Sequence, residues 1–352
     1  MKVVFQIAKV AFIVMALACG TSAVAPDASV SDAGEEKKAP PTQDAGDDGG
    51  VFTGPGHLAD TGLYSDFASR TLAPGIVEYT PRYPLWSDGA EKKRYLLLPP
   101  NTQIDDSDMD NWVFPVGTKV WKEFDVGNVA VETRLLWKVG DTTWWEVAYA
   151  WNQAGTDAVA APDGGVDALG TNHDVPSQQD CAACHANVRD VLIGVSALQL
   201  GATDGDGTLA ALADAGALAK APVAYDAPGA GVTKDALGYL HANCGHCHNG
   251  DWASPTLQKQ TNLRLRLSVS DVDPSAVPAV KTATCLPMKH LVPPDVVYAL
   301  VPGDPDASGI AARMNRRDSF GMPAVCTKEV DEAGVATVSA WIASLDAGAC
   351  SD

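Results

Sequence analysis

The 352-residue chain has little positive charge. Its 25 lysines and arginines stand against 44 aspartates and glutamates, and its formal net charge is −19 at pH 7. Proteins bind nucleic acid mainly by neutralising phosphates with lysine and arginine, so nucleic acid is not an expected partner. The charge favours a protein partner with a basic face, which it would attract at low salt. A soluble acidic surface explains the charge equally well.

Several common enzyme motifs are also missing. The sequence contains no nucleotide-binding glycine loop and no serine-hydrolase elbow. The segment Asp204-Gly205-Asp206-Gly207 has parts of a calcium-binding loop but lacks its remaining ligands and closing glutamate, which predicts a polar turn. The sequence therefore gives no support for a nucleotide-dependent, serine-hydrolase or calcium-binding function.

Long apolar runs are scarce, and the one near the N-terminus is short. Lys2 and Lys9 precede the run Val10–Ala18, which is too short for a comfortable transmembrane helix and ends in small residues. Residues 1–19 are therefore interpreted as an export signal peptide. This interpretation predicts a protein of the cell envelope, in the periplasm or at the outer membrane.

The end of the signal peptide offers two processing sites. Ala16-Leu17-Ala18-Cys19 resembles a bacterial lipobox, in which Cys19 is lipidated and becomes the first residue. Ala23-Val24-Ala25 offers an ordinary cleavage site instead. The lipobox is favoured, and it predicts membrane contact only through a lipid anchor.

Composition divides the rest of the chain into three parts. Residues 20–50 are rich in Ala, Asp, Gly, Pro and Glu and predict a disordered tether. Residues 51–170 predict a β-rich domain that resembles a sandwich, with strands at Arg94–Leu98, Trp112–Phe124, Val131–Val139 and Trp144–Trp151. Residues 171–352 predict a mainly α-helical cytochrome c-like region. The fold expected from the sequence is thus a multidomain α+β protein.

Two five-residue motifs carry the chemistry of the second half. Cys181-Ala182-Ala183-Cys184-His185 and Cys244-Gly245-His246-Cys247-His248 both have the pattern C-x-x-C-H. This pattern is typical of covalent c-type haem, in which both cysteines form thioether bonds and the adjacent histidine binds iron. The sequence therefore predicts two covalently attached haems, with His185 and His248 as iron ligands.

Four cysteines in two C-x-x-C pairs also suggest a tetrahedral zinc site or a thioredoxin-like disulfide. Neither alternative requires a histidine directly after the second cysteine. Because that histidine occurs in both motifs, haem is the favoured interpretation, and zinc remains the main alternative.

The sixth iron ligand of the second haem is predicted to be Met322. This residue lies in the segment Phe320-Gly321-Met322-Pro323, between two predicted helices. The glycine and proline favour a loop that can present a thioether to iron, and Met/His ligation raises the reduction potential. The alternative is a methionine that only fills space in the core.

The sixth ligand of the first haem is harder to identify because residues 186–240 contain neither histidine nor methionine. His173, shortly before Cys181, is the first choice, since compact multihaem cytochromes place a distal histidine before the attachment motif. The other candidates stay open: His241, Met288, His290, Met314, Met109 and His57.

Two helices are predicted around the second motif. Thr233 is a candidate N-cap of a helix whose Leu237, Leu240 and Cys244 share one face. Near the C-terminus, Val335, Val338, Trp341, Ile342 and Leu345 have the spacing of an amphipathic helix. In c-type cytochromes such a terminal helix crosses the helix that precedes the haem motif.

Two functions follow from this pattern. In one, both irons are six-coordinate and the protein carries single electrons. In the other, one haem has an open face and the protein is a dihaem peroxidase. Those peroxidases usually place a full domain between their motifs, whereas about sixty residues separate them here, too few for an independent haem domain. The electron carrier is therefore favoured. The short interval between the two motifs also predicts that both haems lie in one domain.

The chain resembles a family of secreted bacterial dihaem c-type cytochromes and is similar to cytochrome modules associated with PQQ-dependent sugar dehydrogenases. The matching segments cover nearly all of the chain after residue 80: 84–92, 114–118, 132–134, 150–152, 175–177, 239–244, 302–305, Ser308, 313–314, 322–323 and 341–342. The resemblance implies electron transfer, a periplasmic dehydrogenase as redox partner, Met322 as an axial ligand and Arg313 near the haem propionates.

Cys326 departs from this resemblance, because a residue other than cysteine is expected after the Met-Pro loop. With four cysteines on haem and Cys19 lipidated, Cys285, Cys326 and Cys350 remain. An oxidising compartment favours one disulfide among these three, and the sequence does not fix the pairing.

Overall fold

A computed structural model describes residues 53–201, 208–220, 223–250, 262–292, 296–325, 327–348 and 350, and of residues 290–292 it describes the backbone. The predicted signal peptide, the Cys19 lipidation site and the tether lie outside the described residues. So do Asp204–Gly207 and Cys326.

The dominant element is one six-stranded antiparallel sheet in the order β3-β4-β5-β6-β7-β8, so that each strand pairs with the next one in sequence. Two further two-stranded sheets pair β1 with β2 and β9 with β10. The strands are β1 (Tyr64–Asp66), β2 (Thr71–Leu72), β3 (Val77–Glu78), β4 (Glu91–Leu97), β5 (Lys119–Val126), β6 (Val129–Lys138), β7 (Trp144–Trp151), β8 (Ala158–Ala160), β9 (Pro287–Val292) and β10 (Val296–Tyr298).

The β5–β6 connection shows why the central strands form a meander. Gly127 and Asn128 both adopt positive φ angles, 57° and 65°. Such a pair suits a tight hairpin because its twist matches that of the flanking strands. Side chains along each strand point alternately to the two faces of the sheet, and Trp121, Leu135 and Tyr149 are fully buried on one of these faces.

The expected sandwich is wrong. Among the described residues, no second sheet of similar size packs on the meander. Its aromatic face is instead covered by the segment from Leu58 to Leu72, which supplies Leu58, Leu63 and Tyr64 to the same core. Aromatic strands indicated the buried face correctly, but they carry no information on what covers it.

Six helices occur in the described part of the chain. They are α1 (Gln178–His185), α2 (Leu209–Asp214), α3 (Val232–Asn243), α4 (Pro278–Ala283), α5 (Gly309–Met314) and α6 (Glu332–Ser344). The predicted C-terminal helix is confirmed as α6, which Asp331 caps by accepting a hydrogen bond from the Gly334 backbone nitrogen. The predicted helix before the second motif is confirmed as α3, although Gly231 and not Thr233 precedes it.

The prediction of a mainly α-helical cytochrome region is wrong. The helices are short, only 21% of the structure is helical, and the sheet dominates. The helical periodicity at α3 and α6 does not extend to the rest of residues 171–352, where frequent Gly and Pro interrupt helices. Much of that region is loop and turn, with one two-stranded sheet.

The helices α3 and α6 pack together around a shared core. Leu237 and Leu240 of α3 and Trp341 and Ile342 of α6 are all buried there. Gly334 lies against the ring of Tyr239, so that an added side chain would collide with it. This contact lets the two helices approach closely.

The β-rich unit and the following region share a second core. Leu96 and Val120 of the sheet pack in one cluster with Leu200 and Leu209. The loop before β4 also reaches α3, where Asn243 accepts a hydrogen bond from the Trp86 backbone nitrogen at 2.7 Å. The β-rich unit is therefore in direct contact with α3, the helix that precedes the second C-x-x-C-H motif. No helix among the described residues has the length and apolar character needed to cross a membrane.

Candidate haem-attachment site

The first motif lies on the helix α1. Ser177 caps this helix in a reciprocal arrangement: its hydroxyl accepts a hydrogen bond from the Asp180 backbone nitrogen, and the Asp180 carboxylate accepts one from the Ser177 backbone nitrogen. Such a capping box satisfies two otherwise unpaired donors at a helix start. It fixes the turn that presents Cys181, and Cys184 and His185 follow on the same helix.

The imidazole of His185 is oriented by a backbone group. Its Nδ1 lies 2.6 Å from the carbonyl oxygen of Val191, and no described residue hydrogen-bonds to its Nε2. Burial, together with the nearby charge of Lys122, lowers the pKa of His185 to about 3. A neutral ring whose Nδ1–H is donated to a carbonyl presents the Nε2 lone pair, which is the form that binds a metal.

The turn that holds Val191 is strained. Asp190 and Val191 adopt positive φ angles of 55° and 51°, which is unusual for residues other than glycine and especially for a β-branched one. Asp190 secures this turn because its carboxylate accepts hydrogen bonds from Lys138 Nζ at 2.8 Å, Trp144 Nε1 at 2.8 Å and the Phe114 backbone nitrogen at 2.6 Å. Strain maintained by such a network is characteristic of functional sites.

The second motif begins where α3 ends. The backbone nitrogens of Cys244 and Gly245 both donate to the Leu240 carbonyl at 3.0 Å, and that of His248 donates to the Cys244 carbonyl at 2.8 Å. Cys244 packs against the core between α3 and α6. Burial lowers the pKa of His248 to about 4, and its Nδ1 is buried without a hydrogen-bond partner among the described residues. Like His185, this imidazole is neutral and suited to bind iron.

The two motifs touch each other. The side-chain amide of Asn249, next to His248, donates to the Asn187 carbonyl at 2.7 Å, close after His185. The thiols of Cys184 and Cys247 also interact, which lowers the pKa of Cys247 and raises that of Cys184 to about 12. Both attachment sites therefore belong to one continuous region.

The zinc alternative requires the cysteines to converge around one point. Within the described residues, no group of three or more histidine, cysteine or carboxylate side chains is arranged to hold a metal ion. The four motif cysteines thus do not form a ready-made tetrahedral site. The donor set fits haem better, since each motif offers two thiols and, next to the second thiol, one neutral imidazole.

Met322 is held in a loop that two arginines organise. Its backbone nitrogen donates to the Arg313 carbonyl at 2.9 Å, and its own carbonyl accepts from Arg317 at 3.0 Å. The charge of Arg313 also acts on His248. The structure thus brings Met322, Arg313 and His248 into one neighbourhood, and the Met322–Pro323 peptide is cis.

His173 is buried beneath the first motif, where its Nε2 lies 2.6 Å from the Glu132 carboxylate and its ring packs 5.0 Å from that of Phe124. Burial would raise the pKa of Glu132, but Arg134 and the hydrogen bond with His173 hold it below its usual value. The nitrogen that would face an iron is therefore engaged with a carboxylate.

The other candidate sixth ligands also have structural contacts. His57 lies 3.1 Å from Asp157 at the surface, and His241 Nδ1 accepts a hydrogen bond from the Leu267 backbone nitrogen. Met314 and Met109 pack in core clusters, while Met288 lies against Gly309. The side chain of His290 lies outside the described residues.

Sequence reasoning missed two groups of residues at this site. One is His246, which is buried, lies near enough to Cys184 to oppose the rise in its pKa, and has an Nδ1 without a partner among the described residues. The other is a row of basic side chains on the sheet below α1, at Lys92, Arg94, Lys122 and Arg134. Strand alternation places Lys92 and Arg94 on one face, so that this part of the pattern was detectable.

A small cavity adjoins the motifs. Its volume is about 60 Å³, and His246, Arg266 and Trp112 are among the residues that line it. Each of these three carries a buried polar atom with no partner in the described structure: His246 Nδ1, Arg266 Nη1 and Trp112 Nε1. A space of this size with polar walls holds a few waters or a small polar molecule.

Comparison of the chain with protein-family models, with curated proteins and with solved structures gave no match. The assignment of function therefore depends on the geometry and chemistry of the site.

Proposed function

We propose that the protein is a dihaem c-type cytochrome that transfers single electrons in the bacterial cell envelope. The observation that carries this proposal is the contact between the two C-x-x-C-H motifs through Asn249 and through the thiols of Cys184 and Cys247. Two attachment sites in contact favour haems close enough for rapid electron exchange.

Each motif residue has a role in this proposal. Cys181, Cys184, Cys244 and Cys247 anchor the two haems, and His185 and His248 bind iron through neutral imidazoles. Haem iron supplies the reversible one-electron exchange when it is bound. The hydrogen bond from His185 to Val191 makes that imidazole a stronger donor, which stabilises the oxidised iron and lowers the potential. Met322 serves as the sixth ligand near His248 and raises the potential of the second haem.

The envelope location is supported by the disulfide between Cys285 and Cys350, which are 65 residues apart in sequence. Structural disulfides persist in oxidising compartments such as the periplasm, where c-type haem is also attached. Together with the predicted signal peptide and Cys19 lipidation, the disulfide supports a lipid-anchored protein outside the cytoplasmic membrane.

The acidic chain suits a redox partner with a basic face. The family resemblance suggests a periplasmic dehydrogenase, such as a PQQ-dependent one, as the electron donor. The protein then passes electrons to a downstream acceptor.

A second candidate function is a dihaem peroxidase in which the first haem has an open face. Two observations favour it. His173 is hydrogen-bonded to Glu132 at the nitrogen that would bind iron. The cavity beside the motifs also presents a histidine and an arginine with unpartnered polar atoms, which suits a small polar substrate such as peroxide.

Electron paramagnetic resonance of the oxidised holoprotein separates these functions, with spin states quantified against total haem iron. The carrier predicts two low-spin signals, two irons per chain and no effect of peroxide on the reduced protein. A stoichiometric high-spin signal with rapid oxidation by peroxide would instead support the peroxidase. Arg266→Gln then serves as a matched variant, because it should slow peroxide oxidation only if the cavity is the peroxide site.

A further inference from the structure

The basic residues beneath the first motif are aligned by strand register. Arg94 of β4 pairs with Lys122 of β5, and Lys122 pairs with Arg134 of β6. Directly paired residues on neighbouring strands project from the same face of a sheet. Lys92, two residues before Arg94, joins them on that face. We call these four residues the basic row.

Two members of the basic row, Arg94 and Lys122, have no carboxylate partner among the described residues. Like charges opposite each other on paired strands destabilise a sheet, and Arg94 is only 5% exposed. Lys92, Arg94 and Lys122 form no salt bridge with any described residue. Glu132, on the same face, is already hydrogen-bonded to Arg134 and His173. Burial and the neighbouring arginines depress the pKa of Lys122 well below its usual value, as expected for a cation that needs an anion.

The row lies under the first attachment motif. The charges of Lys122 and Arg134 both act on His185, and that of Arg134 acts on Cys181. The helix α1 is held over this face by Gln178, whose side-chain amide donates to the Glu146 carbonyl at 2.6 Å. A group attached to Cys181 and Cys184 therefore lies close to the basic row.

We propose that Arg94, Lys122 and Arg134 bind the two propionate carboxylates of the haem attached at Cys181 and Cys184. This inference rests on the proposed function and assigns a binding role to residues outside both motifs. Propionates are the only anionic groups of a haem, and guanidinium and ammonium groups pair with carboxylates through charge-assisted hydrogen bonds. The propionates supply the negative charge that Arg94 and Lys122 lack.

Propionate binding by the basic row is expected to change the reduction potential of the first haem. A buried cation beside the propionates opposes the additional positive charge of the ferric haem, so that it stabilises the reduced form and raises the potential. Removal of one cation should lower the potential of the first haem and leave that of the second unchanged.

The test is a redox titration of the full-length holoprotein carrying Lys122→Met. The matched control is Lys93→Met, which removes the same charge from the neighbouring strand, where the Lys93 side chain lies on the opposite face and is 53% exposed. We expect the potential of the haem without the methionine-to-iron absorption band to fall in Lys122→Met and to stay unchanged in Lys93→Met. Lys122→Arg should restore it, since that variant keeps the charge. The propionate bands in resonance Raman spectra should shift in parallel.

Other outcomes overturn the proposal in distinguishable ways. Unchanged potentials and Raman bands in a Lys122→Met protein that carries both haems would overturn the propionate assignment and leave the proposed function intact. Conversion of the first haem to high spin in that variant would instead identify Lys122 as an iron ligand. Absence of haem from Cys181 and Cys184 in the wild-type protein would overturn the proposed function as well. If Lys122→Met does not accumulate, Arg94→Gln removes one charge of the basic row and provides the same comparison, with Arg94→Lys as the variant that keeps the charge.

Discussion

The Nδ1 atom of His185 lies 2.6 Å from the carbonyl oxygen of Val191, in a turn where both Asp190 and Val191 adopt positive φ angles. The turn is secured by a buried ion pair, because Asp190 lies 2.8 Å from Lys138 and both side chains are almost fully buried. The orientation of a candidate iron ligand thus depends on an ion pair at the end of the sheet.

This dependence predicts the effect of Asp190→Asn. The weakened contact with Lys138 should loosen the turn and the hydrogen bond to His185, so that the imidazole becomes a weaker donor and the potential of the first haem rises. Loss of one partner of a buried ion pair should also lower the free energy of unfolding by about 3–5 kcal/mol.

A redox titration of the holoprotein checks this prediction. Asp141→Asn removes the same charge from an exposed turn and serves as the control. A stability loss with an unchanged potential would show that Asp190 has only a structural role. Asp190→Glu keeps the charge and is the second variant if the amide prevents folding.

Met322→Ala should abolish the methionine-to-iron absorption band and lower the potential of one haem, because a sulfur ligand favours the reduced iron. Absorption spectra and potentiometry measure both effects. Met288→Ala is the control, since Met288 packs against Gly309 and is expected to affect stability only. An intact band in Met322→Ala would exclude Met322 as a ligand.

Asp226→Asn should weaken the contact between the sheet unit and α3. Asp226 accepts hydrogen bonds from Tyr83 Oη at 2.5 Å and pairs with Arg82 at 2.9 Å and Lys234 at 3.4 Å. Burial opposes ionisation, but the Tyr83 hydroxyl and these cations hold the pKa of Asp226 below 3.8. Its stabilising effect is therefore present above pH 3.8 and is lost as the pH falls through the lower, folded-state pKa.

Urea unfolding at several pH values checks this effect. At neutral pH we expect the free energy of unfolding of Asp226→Asn to fall by about 1–2 kcal/mol, and the difference from wild type to disappear in acid. Asp163→Asn, at an exposed position, controls for net charge. A difference that persists unchanged in acid would contradict the assigned role of the carboxylate.

Cys285→Ser should destabilise the protein, because the disulfide with Cys350 closes a long loop around α5 and α6. The entropy of such a loop corresponds to about 4 kcal/mol. Thermal unfolding with and without a reductant measures the effect, and the variant should become insensitive to the reductant. Cys326→Ser is the control, and a larger loss in that variant would indicate a different pairing.

The sequence predicted those features that depend on local pattern. The strand Trp144–Trp151 and the helix α6 follow from alternation and helical spacing, and both occur where expected. The strand predicted from Trp112 begins only at Lys119, because Pro115 and Gly117 form a turn whose positive φ at Gly117 suits glycine. Local pattern thus located elements more reliably than their ends.

The site could be predicted only in part. Both motifs were evident, since attachment requires a fixed spacing. The ion pair between Lys138 and Asp190 joins residues 52 apart in sequence, and the contact between Asn249 and Asn187 joins residues 62 apart. Such pairings depend on how the sheet and helices pack. The same is true of the basic row, which exists only once strand register aligns three strands.

The measurement that tests the central claim most directly is the intact mass of the chain, matured in a host that assembles c-type cytochromes and then denatured to release any group that is not covalently bound. The account predicts the mass of the polypeptide plus two haems, and one haem fewer in Cys181→Ser/Cys184→Ser and in Cys244→Ser/Cys247→Ser. A chain that carries no covalent haem and releases zinc on denaturation would contradict it.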